Sequence, residues 1–295
     1  MHPYEQFERE WAEYIGTKYA VSCNSGTSAL HLALMALRVG PGDEVICPNF
    51  TMAAVPFAVA YTGARPVFVD CGDDLNIDPL LVKEKINEKT KAIIVVHIYG
   101  RPANLGSLCG LGVPVIEDCA EAHGATIDGT RVGSFGVLSC FSFYRNKILH
   151  AEEGGAVCTN DGRLAERMNY LKNMAFDADH TYQHDEIGYN YRMTNETAKT
   201  LVKQLPYIDR EIRRRRRVAS GFRGFSEIVR PKGSVFWVKD VIFDTKKERD
   251  QAYDDMQGDN VRLFFRPMTT LPMWKDQDVR GRAHDYSERG MYLIL

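Results

Sequence analysis

The chain has 295 residues, of which 44% are hydrophobic and 26% are charged, the composition of an ordinary globular protein with a large core. A net charge of −2 gives no reason to expect nucleic acid or an anionic membrane as a partner. The seven cysteines form no CxxC pair, no apolar run has the length of a membrane helix, and the first residues lack a signal-peptide pattern, so we expect a cytoplasmic protein with reduced thiols.

Predicted helices and strands alternate along the first two thirds of the chain. A helix is expected from about residue 27 to residue 38, where Gly40-Pro41-Gly42 ends it. Several β-rich runs that follow are continuously apolar, which is typical of a mostly parallel sheet covered on both faces. These runs span residues 44–47, 66–69, 92–96, 113–116 and 137–141. We therefore predict a large layered α/β domain over residues 1–195.

A smaller domain is predicted over residues 196–295. One long polar helix, from about 195 to 222, leads into an α+β segment that contains the apolar run 235–238. Five consecutive arginines, 213–217, lie on this helix. Because neighbouring residues of a helix point in all directions, we interpret the run as a solvated face or as interdomain salt bridges, not as a nucleic-acid surface.

Two residues indicate the chemistry. Asp118 closes the apolar run that begins at residue 113, and Lys147 lies shortly after the run 137–141. A lysine can hold the aldehyde of pyridoxal phosphate (PLP) as a Schiff base and later shuttle protons, while an acid can keep the pyridine nitrogen protonated. Either residue alone is commonplace, as a surface lysine or a helix cap. Together, in an α/β chain, they predict a PLP site with Lys147 and Asp118 as catalytic residues.

A phosphate site is predicted at the start of the first strong helix. Ser25-Gly26-Thr27-Ser28 offers backbone N–H groups, hydroxyls and a glycine that lets an oxyanion approach closely. A plain helix cap would also explain this segment. Ser142, five residues before Lys147, could give another hydroxyl. Glu121, one turn after Asp118, could approach the hydroxyl edge of the cofactor ring, or it could be an acidic residue in a capped first turn.

Two other patterns are rejected. His180 and His184 have the spacing of metal ligands on a helix, but no carboxylate motif accompanies them and their neighbours predict a loop, so we expect no metal. The order Ser28…His31 could suggest a hydrolase, but the GxSxG elbow is absent from the sequence.

Taken together, the motifs resemble the DegT/DnrJ/EryC1/StrS family of PLP-dependent nucleotide-sugar aminotransferases, from about Phe7 to near the C-terminus. The segments that carry the resemblance are 25–32, 42–45, 63–70, 117–124, 141–144 with Lys147, and 188–194. The resemblance implies fold type I, with a mostly parallel seven-stranded-type sheet between helices and a smaller C-terminal α+β domain.

The resemblance also implies roles for individual residues. Lys147 would form the Schiff base, Asp118 would meet the ring nitrogen and Glu121 would meet O3′ of the cofactor. Gly26, Thr27 and Ser142 match phosphate contacts. Met52 stands where many members have an aromatic residue that stacks on the cofactor. Asn190 and Arg192 match a segment that reaches the neighbouring subunit's site, so a homodimer with composite active sites is expected; a helix-capping loop is the alternative reading of that segment.

Within the family, segments 97–102, 120–124 and 264–268 resemble the subgroup that forms GDP-perosamine. Those enzymes move an amino group from L-glutamate to C4 of GDP-4-keto-6-deoxymannose. A UDP- or dTDP-linked keto sugar aminated at C4 or C3 is an alternative. A PLP-dependent sugar dehydratase, which usually has histidine in place of the lysine, and a non-catalytic regulatory homologue are two others. The turn after Lys147 departs from the family pattern, and His150 and Glu152 could change substrate access.

Overall fold

The structure is a computed structural model that describes residues 2–177, 181–222, 228–256, 258 and 260–295. Its helices are α1 (Pro3–Ile15), α2 (Gly26–Ala36), α3 (Ala54–Tyr61), α4 (Pro79–Lys85), α5 (Leu105–Leu108), α6 (Gly162–Lys172), α7 (Asn195–Gln204), α8 (Ile208–Gly221), α9 (Lys246–Asp255) and α10 (Arg282–Arg289). Its strands are β1 (Tyr19–Cys23), β2 (Glu44–Pro48), β3 (Arg65–Val69), β4 (Thr90–Val96), β5 (Val115–Asp118), β6 (Thr126–Ile127), β7 (Thr130–Arg131), β8 (Leu138–Ser142), β9 (Gly155–Thr159), β10 (Val238–Ile242), β11 (Val261–Leu263) and β12 (Gly290–Ile294).

Seven strands form the central sheet in the order β1-β9-β8-β5-β4-β2-β3. From β8 to β3 every neighbouring pair is parallel, whereas β9 runs antiparallel to both β1 and β8. A mostly parallel seven-stranded sheet is therefore confirmed, and each of the five predicted apolar runs overlaps a strand of it.

The continuous apolar character of these strands has a direct cause. Along β4, Ala92, Ile94 and Val96 pack into one hydrophobic cluster, while Ile93 and Val95 pack into a second cluster on the opposite face. Because successive side chains of a strand point to opposite faces, a sheet covered on both sides needs apolar residues at every position. This two-sided burial holds the strand ends, and the side chains that follow them, in fixed places.

The C-terminal part forms a separate three-stranded antiparallel sheet in the order β10-β12-β11, accompanied by α9 and α10. The helix before it differs from the prediction. In place of one helix over 195–222, α7 and α8 are separated by a 3-10 turn at Leu205–Tyr207. Pro206 explains the change, because proline lacks an N–H for the helical ladder and its ring clashes with the preceding turn. The division at residue 195 stays a prediction, and α1 packs against α7 across it.

Four of the five consecutive arginines are exposed, as expected for a solvated helix face, and the fifth is buried. Arg215 is buried and donates to the carbonyl oxygen of Trp237 at 2.8 Å, which ties α8 to the smaller sheet. Both Arg214 and Arg215 pair with Glu211 one turn earlier. Six of the seven cysteines are buried and all seven are free thiols. Among the described residues, none of the helices is long and apolar enough to span a bilayer.

A buried ionic cluster also joins the two parts of the chain. Asp240 of β10 accepts hydrogen bonds from Arg101, which is fully buried in the large sheet's domain, and from Arg230. Burial alone would raise the pKa of Asp240, but the two guanidinium groups hold it below its usual value. The carboxylate therefore pairs with two guanidinium groups, of which that of Arg101 is out of reach of water.

We expect Asp240→Asn to destabilise the protein by about 3–5 kcal/mol, because it leaves two arginines without a buried counter-charge. Chemical denaturation at neutral pH measures the loss. A folded-state pKa below the unfolded value gives stability that is present above the unfolded pKa and lost as pH falls through the folded pKa, so the difference between wild type and variant should shrink in acid. Asp244→Asn, on the exposed turn after the same strand, is the control and should change little. Equal stabilities of the two variants would contradict the prediction.

Candidate active site

A cavity of about 340 Å³ opens at the carboxyl edge of the central sheet. β5 and β8 end there with Asp118 and Ser142, and β1 ends there just before α2. Parallel strands present their carboxyl ends at one edge, which is where ligands of open α/β sheets bind. The lining residues are Ser25, Gly26, Thr27, Leu30, Met52, Ala54, Val96, Asp118, Ala120, Glu121, Ser142, Tyr144, Asn146, Lys147, Glu153, Trp237, Phe265 and Tyr292.

The register of the antiparallel strand β9 assembles one end of this cavity. Gly155 lies opposite both Ser142 of β8 and Cys23 of β1, so α2 begins beside the end of β8. A Cβ on Gly26 would come within 2.6 Å of the Ser142 Cβ, and one on Gly155 within 2.1 Å of the Ser25 carbonyl oxygen. Both positions therefore need glycine, because any side chain would push the three segments apart.

The first turn of α2 is arranged as an anion site. Ser25 caps the helix by accepting from the Ser28 N–H at 3.1 Å, and the Ser28 hydroxyl accepts from the Ser25 N–H at 3.0 Å. The N–H groups of Gly26 and Thr27 belong to the positions that lack an intrahelical acceptor. Together with the hydroxyls of Thr27 and Ser142 on the same cavity wall, they form a cradle suited to a phosphate.

Lys147 and Asp118 line the same cavity and are close enough for their charges to interact. Burial lowers the pKa of Lys147, against the opposite effect of Glu121 and Asp118. Burial also raises the pKa of Asp118, opposed by a hydrogen bond from the Ala120 N–H at 3.0 Å and by Lys147. A lysine with a lowered pKa is more often the free amine that attacks a carbonyl. A desolvated carboxylate gains most from a cationic partner.

Glu121 is buried beside this pair and accepts a hydrogen bond from the Tyr99 N–H at 2.7 Å. Burial raises its pKa to about 7, opposed by Lys147 and by that hydrogen bond. The N–H comes from a strained position, because Tyr99 has a φ of 51°. Glu121 can therefore hold or release a proton near neutral pH at the cavity wall.

A further buried group lies behind Asp118. His97, Glu117 and Cys119 have potential ligand atoms within 4.8 Å of one another. Hydrogen bonds already account for the polar atoms, because Glu117 accepts from His97 at 3.1 Å and from three backbone N–H groups. The Ala103 N–H donates to His97 Nδ1 at 3.0 Å, which leaves the proton of the neutral ring on Nε2. These hydrogen bonds hold the group together and stabilise the carboxyl end of β5. His180 lies outside the described residues, and His184 lies beside the Met174 carbonyl.

Three predicted residues lie at the edge of the site or beyond it. Met52 lines the cavity and is 55% exposed, so an apolar surface is available above the cavity floor. Asn190 and Arg192 lie apart from the lining residues. The Asn190 carbonyl accepts from Asn24, and Arg192 donates to Asn173. Their predicted role in a neighbouring subunit's site stays a prediction.

Sequence reasoning missed the wall contributed by the smaller domain. Trp237, Phe265 and Tyr292 close the cavity opposite the sheet edge. The only sequence signals are that Trp237 lies in the apolar run 235–238 and that Phe265 lies in a segment of the family resemblance. Neither signal places the residue within reach of Lys147, because the contact depends on how the two domains pack.

The donor set fits PLP. The cradle of Gly26, Thr27 and Ser142 suits the phosphate, Asp118 suits a protonated ring nitrogen, and Lys147 provides the amine for the aldehyde. A cavity between a mostly parallel sheet and a smaller α+β domain gives room for the ring and a substrate. Fold and site thus define the class: a PLP-dependent transferase of fold type I.

The model of the DegT/DnrJ/EryC1/StrS aminotransferase family matches residues 2–294. The chain belongs to this family and is a PLP-dependent sugar aminotransferase.

Individual relatives agree with this membership. The chain is 38% identical over 309 residues to a GDP-perosamine synthase of Vibrio cholerae, covering 98% of this chain and 84% of the relative. It is 44% identical over 221 residues to a UDP-N-acetyl-3-dehydro-alpha-D-glucosamine 3-aminotransferase of Acidithiobacillus ferrooxidans, covering 73% of this chain and 59% of the relative. The crystal structure of S. venezuelae DesV superimposes with a TM-score of 0.90 at 34% identity, covering 99% of this chain and 84% of DesV.

Proposed function

We propose that the protein transfers an amino group from L-glutamate to C4 of a nucleotide-linked 4-keto-6-deoxy sugar, converting GDP-4-keto-6-deoxymannose to GDP-perosamine. The observation that carries the proposal is the meeting of Lys147, Asp118 and the phosphate cradle in one cavity. Similarity over nearly the whole chain to GDP-perosamine synthases supports GDP-perosamine as the product.

We propose the following roles for the residues of the site. When bound, PLP supplies an aldehyde for amine exchange and a cationic ring that accepts electrons. Gly26, Thr27 and Ser142 hold its phosphate, and Asp118 keeps a proton at the ring nitrogen. Lys147 Nζ takes the proton from the α-carbon of the donor and returns a proton to the acceptor carbon. Glu121 meets the O3′ edge of the ring.

The proposal also covers the oligomeric state, the cellular location and the biological process. Asn190 and Arg192 complete the site of a second copy, which makes the working form a homodimer with composite sites. The buried thiols support a cytoplasmic location, because a reducing compartment keeps such groups free. Polysaccharide or O-antigen biosynthesis is the process that such a product would serve.

The alternatives differ in how they meet these observations. A UDP- or dTDP-linked sugar aminated at C4 or C3 fits the same lysine, acid and cradle. The similarity of the chain to a UDP-linked 3-aminotransferase supports this alternative. Lys147 argues against the dehydratase, whose subgroup usually has histidine there. The lysine and acid together in a formed cavity argue against a regulatory protein without catalysis.

The test is a panel of keto sugar nucleotides supplied with glutamate, with products identified by mass spectrometry and NMR. We expect the GDP-linked 4-keto-6-deoxy sugar to be aminated at C4 with the highest kcat/KM, and 2-oxoglutarate to form in equal amount. A higher kcat/KM for a UDP or dTDP substrate, or amination at C3, would replace the proposed substrate. Absence of turnover across the panel would favour the regulatory alternative.

A further inference from the structure

Lys147 has a contact that the proposed chemistry does not use. Its Nζ lies 3.8 Å from the centre of the Trp237 indole, well inside the range of a cation–π interaction. Trp237 is almost fully buried, so the packing around it fixes its indole at the cavity wall. The two residues belong to different domains and are 90 positions apart in the chain.

The indole is fixed relative to the turn that carries the lysine. Trp237 Nε1 donates to the carbonyl oxygen of Asn146, the residue before Lys147, at 2.9 Å. The Trp237 carbonyl accepts from Arg215, whose other nitrogen approaches the Lys147 carbonyl at 3.5 Å. The ring therefore keeps its place when the lysine side chain moves.

We propose that Trp237 is a positioning residue whose indole face holds the Lys147 ammonium whenever that amine is not covalently engaged. A ring face attracts the charged amine and has little affinity for the neutral one. The contact thus retains a protonated lysine close to the reacting atoms and releases the amine once it has given up its proton. This keeps a long, flexible side chain close to the reacting atoms between its covalent role and its role in proton transfer. The proposal rests on the assignment of Lys147 as the covalent lysine.

Other charges around the amine act beside Trp237. Asp118 and Glu121 favour the ammonium from the sheet side, whereas burial disfavours it. Arg215 and His123 lie nearby, and burial lowers the pKa of His123 to about 3, with further lowering by Lys147 and Arg215. Replacing the indole by an aliphatic group leaves the two carboxylates in place, so the ammonium loses only part of its stabilisation.

The test measures the Lys147 amine in the cofactor-free full-length chain. Its rate of acylation is followed against pH and quantified on the Lys147 peptide by mass spectrometry. We expect Trp237→Leu to lower the midpoint of the labelling curve by about one pH unit, because the ammonium loses a desolvated cation–π contact. Trp237→Phe keeps a ring but loses the Nε1 donor, and its midpoint should stay near that of wild type. Trp274→Leu is the control for a general packing defect, because Trp274 is a buried tryptophan that packs on Phe57 and Phe68.

A graded series covers the case in which Trp237→Leu does not fold. Fluorinated tryptophans placed at position 237 weaken the ring's attraction for cations with little change in shape, and the midpoint should fall stepwise with fluorine number. An unchanged midpoint across this series, or a Phe variant that matches the Leu variant, would overturn the proposal. Borohydride trapping of PLP on wild-type Lys147 is measured separately; its failure would refute the proposed role of the lysine, whatever the labelling curves show.

Discussion

Lys147→Ala is expected to lower transamination by about 10³-fold or more, because the same amine attacks the aldehyde and carries the proton. The variant should still bind PLP through the cradle of Gly26, Thr27 and Ser142, since none of those contacts uses the lysine. Two measurements check this: turnover of the keto sugar nucleotide with glutamate, and the mass of the PLP adduct after borohydride reduction. The wild-type chain should gain the adduct and the variant should not.

Lys147→Arg is the matched control for charge. Its guanidinium keeps a cation beside Asp118, Glu121 and Trp237, but it stays protonated and cannot attack a carbonyl. Both variants should therefore be inactive, and Lys147→Arg should be the closer of the two to wild type in stability. Retention of a borohydride-stable adduct at another residue in Lys147→Ala would show that the covalent lysine has been assigned wrongly.

Asp118→Asn is expected to reduce kcat by about 10²-fold while leaving the fold intact. The amide matches the carboxylate in shape and can accept the Ala120 N–H, but it cannot stabilise a proton on the ring nitrogen. Steady-state kinetics with the keto sugar nucleotide and glutamate gives the loss. Because the change acts on the reacting electrons, kcat should fall more than PLP affinity.

Asp161→Asn is the control for the local hydrogen bond that Asp118 makes at the end of its strand. Asp161 accepts from the Arg163 N–H two residues on, at 2.8 Å, in the same way as Asp118 accepts from Ala120. Asparagine caps helices about as well as aspartate, so this variant should keep wild-type rates. Near-normal kcat in Asp118→Asn would remove Asp118 from its proposed place at the ring nitrogen.

The large domain could be predicted from the sequence because its signals are local. Apolar runs marked the parallel strands, and the acid at the end of one run and the lysine after another marked the site. The break between α7 and α8 was also visible, since Pro206 stands inside the predicted helix.

The contacts that sequence reasoning missed join distant parts of the chain. Trp237 reaches Lys147, and Asp240 reaches Arg101, only after the smaller domain has packed on the sheet. The close approach of Gly155 to Ser25 likewise follows from the antiparallel register of β9. Such requirements arise from pairing between strands, so no local pattern records them.

The antiparallel course of β9 also affects how this enzyme can diverge. Segment 143–154, which carries Lys147, leaves β8 and returns directly as β9, and the Phe143 N–H closes its base on the Gly154 carbonyl at 2.8 Å. Since both stems are anchored in adjacent strands, and the Ala151 N–H also donates to the Phe143 carbonyl at 2.7 Å, exchange of an exposed side chain such as Glu152 leaves Ser142 and Asp118 in register. The loop therefore tolerates sequence change on its exposed side without moving the residues of the cavity.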